Sequence, residues 1–276
     1  MLVDTARRSR DDGRRQGRIT GNEVRRLQTM LAEAWWLPIV FAPLIGSFLG
    51  VLVTRLPRGL TVVWGRSACP QCGHTLGPVE LVPLAGWAML GGRCRHCSER
   101  ISLLYPVLEI GAIAVAVTAV AAAQGWVVWA SCGLGWSLLA LAVIDGREGV
   151  LPDVLTLPLI PAGLVVAYLE DRDTLYPHAI GAIAGFVAFA LIRLAYRAWR
   201  GREGMGAGDA KLFAASGAWV AWEGLPSVVL IAALASLAWI AAAGLKGRQP
   251  TLATALPFGP GLCLGTWVIW LFGPLF

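Results

Sequence analysis

Two aspartates and four cysteines are the residues of this chain whose types and spacing suit chemistry. Asp209 lies in the run Glu203-Gly-Met-Gly-Ala-Gly-Asp-Ala-Lys211, where Gly204, Gly206 and Gly208 alternate with small or flexible residues. Glycine permits positive φ and close backbone approach. The run is therefore predicted to form a tight, crowded turn that aims Asp209 at the edge of the apolar segment 212–222. A carboxylate beside hydrocarbon is costly and usually functional; the alternative is that Asp209 caps a helix N-terminus. Asp145 supplies a second carboxylate in Val143-Ile-Asp-Gly-Arg-Glu-Gly-Val-Leu-Pro-Asp153. It ends an apolar segment, where an acid opposes the helix dipole, so capping does not account for it. Asp153 follows Pro152, and both residue types suit a helix start. Two carboxylates brought together at low dielectric share one proton. One can then take a proton from water while the other polarises a carbonyl, which is hydrolysis of the aspartic-protease type. No Ser/His pairing competes, since His178 is the one histidine outside the cysteine-bearing stretch and falls on the opposite side in the topology below. Lys211 has two open readings: contact with a substrate acid or bias of the shared proton, or snorkelling to the interface.

The cysteines form two pairs, Cys69-Pro-Gln-Cys72 and Cys94-Arg-His-Cys97, with 21 residues between them. Two thiolate pairs on tight turns make a tetrahedral four-thiolate site, which suits zinc. Gly73 and Ser98 follow the pairs as turn residues. Four protein ligands leave no open position, so the metal is expected to be structural. Cys132 and Cys263 fall in apolar segments and read as core residues.

The elements that must position these groups are membrane spans. Of 276 residues, 57% are hydrophobic and 14% charged, against roughly 25% charged in soluble domains. The fold class expected is an all-α polytopic membrane protein with about eight transmembrane helices and a small cytoplasmic zinc-binding loop domain. Its parts are an Arg-rich N-terminal tail (1–33), a first transmembrane helix (34–53), the four-cysteine loop (54–102) and a seven-helix region (103–276). Later spans are predicted near 103–123, 127–144, 151–169, 177–198, 209–222, 226–244 and 254–274, set against the ~20 residues that cross hydrocarbon. Fourteen Lys and Arg fall in connections on one side and only Arg172 on the other, so the positive-inside rule puts the loop, Asp145 and Asp209 in the cytoplasm. The tail, with eight Arg and five acids, then falls outside against that rule; a surface-lying tail or initiation at Met30 would remove the conflict. Because the net charge of +6 is explained by topology, the partner it implies is the lipid bilayer, with no nucleic acid.

Taken together, these residues resemble the GxGD aspartic proteases, and among them the prepilin (type IV leader) peptidases. The resemblance rests on Gly46-Ser-Phe-Leu, Arg55-Leu-Pro57, the paired cysteines, Tyr105-Pro-Val-Leu-Glu109, Ile144-Asp with Leu151-Pro-Asp153, the Glu203–Lys211 run and Pro257-Phe-Gly-Pro260, and covers about residues 40–274. It implies cleavage of the leader from type IV prepilins or type II secretion pseudopilins at the bacterial inner membrane. It assigns catalysis to Asp145 and Asp209, with Asp153 secondary, and Gly206, Gly208 and Lys211 belong to the supporting run. It further implies N-methylation of the new N-terminus with S-adenosylmethionine, the loop and first span being the part tied to methyl transfer. This chain carries Gly50 where that first-span signature continues with asparagine, so a peptidase-only member is the alternative. Readings of other classes are a proton-coupled transporter using its buried acids, and a zinc-loop scaffold without catalysis.

Overall fold

The structure, a computed structural model, describes residues 29, 33–62, 67–201, 206–245 and 258–276. Most of the N-terminal tail, Met30, the Glu203–Met205 part of the glycine-rich run, Lys246, Arg248 and Pro257 lie outside the described residues. The described chain is helical: α1 (Leu37–Arg55), α2 (Ala85–Met89), α3 (Leu104–Ala122), α4 (Val127–Glu148), α5 (Asp153–Glu170), α6 (Leu175–Arg200), α7 (Ala207–Leu245) and α8 (Gly259–Phe272). No strand occurs among these residues beyond two isolated bridges, Ala68 to Thr75 and Arg93 to Arg100.

Local chemistry explains the boundaries. Pro38 sits in the first turn of α1 and Arg55 in its last, where proline's fixed φ and a cation facing the carbonyl end are both favourable. Helices α4 and α6 stop at Gly149 and Gly201, each at φ 66°, the left-handed C-terminal position glycine fills without strain. Pro152 precedes α5 in an extended conformation, and Asp153 opens the helix.

Among the described residues, six helices are long and apolar enough to cross a membrane, against eight spans expected. The difference has a local cause. The expected segments 209–222 and 226–244 are joined without a loop in α7, which breaks at Ala221 (φ 57°, ψ −178°). The chain reverses there: α8 residues Gly261 and Gly265 lie against Ala232 and Val228, so register numbers fall as α8 advances, whereas Thr266 of α8 bonds Ser216 ahead of the break at 2.6 Å. The segment near 254–274 is shortened to the 14 residues of α8.

Two packed groups share α4. Leu134, Leu138 and Leu141 join the core of α5 to α8, while Cys132, Ala140 and Ile144 join that of α1 and α3. Glycine brings helices into backbone contact in the first group. A Cβ on Gly217 would strike the Gly181 carbonyl, and one on Gly163 would lie 2.6 Å from the Ala218 carbonyl oxygen. Without a hydrophobic drive between helices in lipid, such close approach is a main source of association. Outward-facing Ile183, Leu194, Leu237 and Trp239 are more than half exposed, as faces meeting acyl chains should be.

Candidate active site

Asp145 lies in the last turn of α4, with Gly149 donating its amide to the Asp145 carbonyl at 2.9 Å. That end of a helix disfavours an anion. The compensation comes from α8. Asp145 is only 8% exposed, and its carboxylate accepts from the backbone N–H of Gly259, the first residue of α8. The first amides of a helix have no internal partner and carry its positive end. Gly259 is required there, since any Cβ would collide with Asp145 Oδ2.

Asp209 uses the same device on its own helix. It is the third residue of α7 and so stands inside the helix instead of capping it. Its carboxylate turns back to accept from the backbone N–H of Gly206, the reverse half of a capping box. A Cβ on Gly206 would sit 3.4 Å from Asp209 Oδ2, and one on Gly208 would sit 2.7 Å from Leu151 Cβ. The two glycines thus let the turn fold beneath its own carboxylate and close onto the approach to α5. Asp145 and Asp209 fall within electrostatic reach of each other, and buried Cys263 lies within reach of both. Two carboxylates thus lie within electrostatic reach of one another, each accepting from a helix-start amide.

Lys211 and Asp153 form a separate unit. The Lys211 ammonium donates to both Asp153 oxygens at 2.7 and 2.8 Å, tying the start of α7 to the start of α5. Of the two readings for Lys211, neither named this partner, 58 positions away.

The cysteines meet as their spacing implied. The Sγ atoms of Cys69, Cys72, Cys94 and Cys97 all lie within 4.8 Å of one another. A zinc tetrahedron with Zn–S near 2.3 Å has S···S edges of about 3.8 Å, and Cys69 to Cys97 is 3.8 Å. The two turns are alike: Gly73 and Ser98 donate to Cys69 and Cys94 carbonyls at 2.9 Å, at φ 70° and 61°. Amides of Cys72 and Gln71 draw the Cys69 thiol down to about 7. Cys97 is driven up to about 12: the Glu99 amide favours its thiolate, but burial and the three neighbouring thiols prevail. Four thiols this close ionise together only around a cation, so the donor set fits zinc. His74 and His96 stack at 4.8 Å outside that set.

Three features escaped the sequence reading. Gly259 as the partner of Asp145 had a signal, the helix start written in Phe258-Gly-Pro260. Glu109, 4% exposed, accepts the Leu84 amide at 2.7 Å. A Cβ on Gly50 would lie 2.6 Å from the Tyr105 ring, so that ring occupies the space a side chain at 50 would need.

Two family models match the chain, a bacterial peptidase A24 N-terminal domain over residues 40–123 and the type IV leader peptidase family over residues 132–241. Proteins named prepilin leader peptidase/N-methyltransferase are similar along most of their length. That of Burkholderia pseudomallei is 41% identical over 265 residues, 86% of this chain and 85% of its own. That of Aeromonas hydrophila is 37% identical, covering 86% and 90%, and that of Pseudomonas aeruginosa 33%, covering 85% and 89%. No solved structure matches.

Proposed function

The chain belongs to the type IV leader peptidase family, and from that premise we propose that it is a membrane aspartic endopeptidase. It removes the leader from type IV prepilins or type II secretion pseudopilins and N-methylates the amine so exposed. The observation that carries this reading is the convergence of Asp145 and Asp209 at two helix starts. One carboxyl holds the shared proton and polarises the scissile carbonyl. The other takes a proton from the attacking water, so hydroxide oxygen bonds to the carbonyl carbon as the π electrons move to oxygen. Collapse of that adduct breaks the C–N bond, and the amine leaves with a proton returned from the pair. The Gly206 and Gly259 amides hold each carboxylate in place without using up its second oxygen.

Cys69, Cys72, Cys94 and Cys97 would hold zinc in a structural role, since four thiolates leave no position open for substrate or water. For the second activity, an S-adenosyl donor would supply an electrophilic methyl group to the amine that leader cleavage exposes. The dyad and the thiol loop face the cytoplasm of the inner membrane, the side where 14 of the Lys and Arg of the connections fall.

The test is a digest of a prepilin peptide by the full-length protein in lipid with S-adenosylmethionine, read by mass spectrometry. Leader loss plus one methyl group is expected, with both abolished by Asp145→Asn or Asp209→Asn. Leader loss retained in a folded Asp variant would refute the assignment of the pair.

A further inference from the structure

The two helix segments that start at the carboxylates carry a buried hydroxyl pair that the reaction does not use. Ser216 lies on α7 ahead of its break at Ala221, and Thr266 lies on α8; each is 1% exposed. Their hydroxyl oxygens meet at 2.6 Å. Ser216 Oγ also reaches the Leu212 carbonyl at 3.0 Å, and Thr266 Oγ1 the Leu262 carbonyl at 2.8 Å. Two protons serve three contacts, so one hydroxyl donates across the interface while the other donates back into its own helix.

The pair is placed in step with the site. Ser216 stands seven positions past Asp209, and Thr266 seven positions past Gly259. Seven residues are close to two full turns, so each hydroxyl lies on the same face as the group at its helix start, about 10 Å further along. The two segments therefore run side by side in one direction, with Asp209 level with Gly259, whose amide serves Asp145. The other side of α8 does not fix that level. Gly261 and Gly265 pack on Ala232 and Val228, so the residues in contact are four apart on both helices. After a slip of one turn, about 5.4 Å, Gly261 would rest on Val228 or Gly265 on Ala232, and close packing alone permits more than one register. The hydroxyl pair does not. Slipped by a turn, Thr266 would face Leu212 or Val220, neither of which has a side-chain hydrogen-bonding group.

We propose that Ser216 and Thr266 set the register of the peptidase site, an inference that rests on the aspartic-protease reading above. A single buried polar contact specifies the alignment of helices that apolar contacts leave free to slide, and side-chain hydrogen bonds between helices are among the forces that associate them in lipid. Both are positioning residues, since neither touches the reacting atoms. With the pair in place, the Gly259 amide is held at the height of the Asp145 carboxylate, and Asp209 is held within electrostatic reach of both. Gly259 has no side chain with which to fix itself, and the contact with Asp145 forbids one. The level of the α8 start has to be set from farther down the helix. Without the bond across the interface, α8 is free to shift along its axis, and a displacement of about 1 Å at a catalytic group costs up to about 10²-fold in rate.

The test uses full-length protein in nanodiscs, with cleavage of a prepilin peptide and hydrogen exchange at the Gly259 amide as its two readouts. Thr266→Val keeps the shape and loses the hydroxyl. It is expected to lower kcat about 10- to 100-fold with KM within about twofold of wild type, and to speed exchange at Gly259 about tenfold. Thr266→Ser restores the hydroxyl and is expected to bring both readouts back to within about threefold of wild type. Ser216→Ala should match Thr266→Val, and the double variant should be no slower than either, as for residues acting as a unit. Wild-type exchange across α3 and α5 reports that each variant is folded. Wild-type kcat and wild-type Gly259 exchange in Thr266→Val would overturn the proposal. So would a Thr266→Ser variant as impaired as Thr266→Val, which would assign the effect to the methyl group. If wild type removes no leader, the peptidase reading fails, and exchange alone decides the register: faster in Thr266→Val and restored in Thr266→Ser upholds it, and any other pattern refutes it.

Discussion

In the thiol loop, each pair of ligands is made by one turn. Cys69 and Cys72 share a bend closed by Gly73, Cys94 and Cys97 one closed by Ser98, and a metal would have only to join two prefabricated halves. At the carboxylates only the Gly206 amide of Asp209 is local. Asp145 ends α4, its amide partner Gly259 begins α8, and Asp209 arrives on α7. On the zinc assignment the first region would be assembled by coordination, whereas the second is assembled by packing between helices. They should therefore fail for different reasons.

The sharpest test is at the carboxylates themselves. Asp145→Asn or Asp209→Asn should each reduce leader cleavage by about 10³-fold or more, the scale of lost acid–base chemistry. The double variant should be no slower than either, because residues acting as a unit are not additive. Multiplying losses in a rate measurement would mean the two act separately. Removing metal comes next. Cys69→Ser, or a strong chelator, should take bound zinc from about one equivalent to near none and raise hydrogen exchange across 67–101. Cleavage should fall far less than zinc does; a parallel fall would erase the distinction between the regions. Gly259→Ala probes the packed one, since a Cβ there meets Asp145 Oδ2. It should slow cleavage about 10- to 100-fold while zinc stays in place. Gly217→Ala, remote from both, meets the Gly181 carbonyl and should cost about 1–3 kcal/mol in an unfolding titration. The smallest effect belongs to Lys211→Met. Its pair with Asp153 is 31% and 53% exposed, so the loss should stay within about 1 kcal/mol. A collapse in cleavage with stability intact would give Lys211 a role in the reaction.

The same contrast decides what could be read from sequence. Four cysteines at fixed spacing carry their geometry with them, so the ligand set was legible. Asp145 and Asp209 were legible as anomalies, acids placed against apolar segments. Their mutual approach was legible only through topology, and their amide partners less so: Gly259 is 114 positions from Asp145 and reaches it because the chain reverses at Ala221. An alanine at positive φ has no mark in sequence, so 209–222 and 226–244 were legible as two apolar segments while the loop-free reversal that joins them at Ala221 was not. The Glu109 contact with Leu84 was hidden for the same reason, a strained backbone held by a residue 25 positions on. Six membrane-length helices were visible as apolar runs because length and hydropathy are local properties.

The amide that Gly259 gives to Asp145 also dates the birth of the site. During synthesis α4 enters the membrane with its terminal acid facing the wrong end of its own helix, and more than a hundred residues must follow before the compensating helix start exists. Asp209 comes in between, on a segment that lies against α8 through Ser216 and Thr266. Until α8 has inserted, one carboxylate lacks its anchor and the other lacks its neighbour's final position. The nascent chain would thus carry both acids through most of translation as an unarmed enzyme, and its proteolytic power would switch on with the arrival of fourteen residues that hold neither acid.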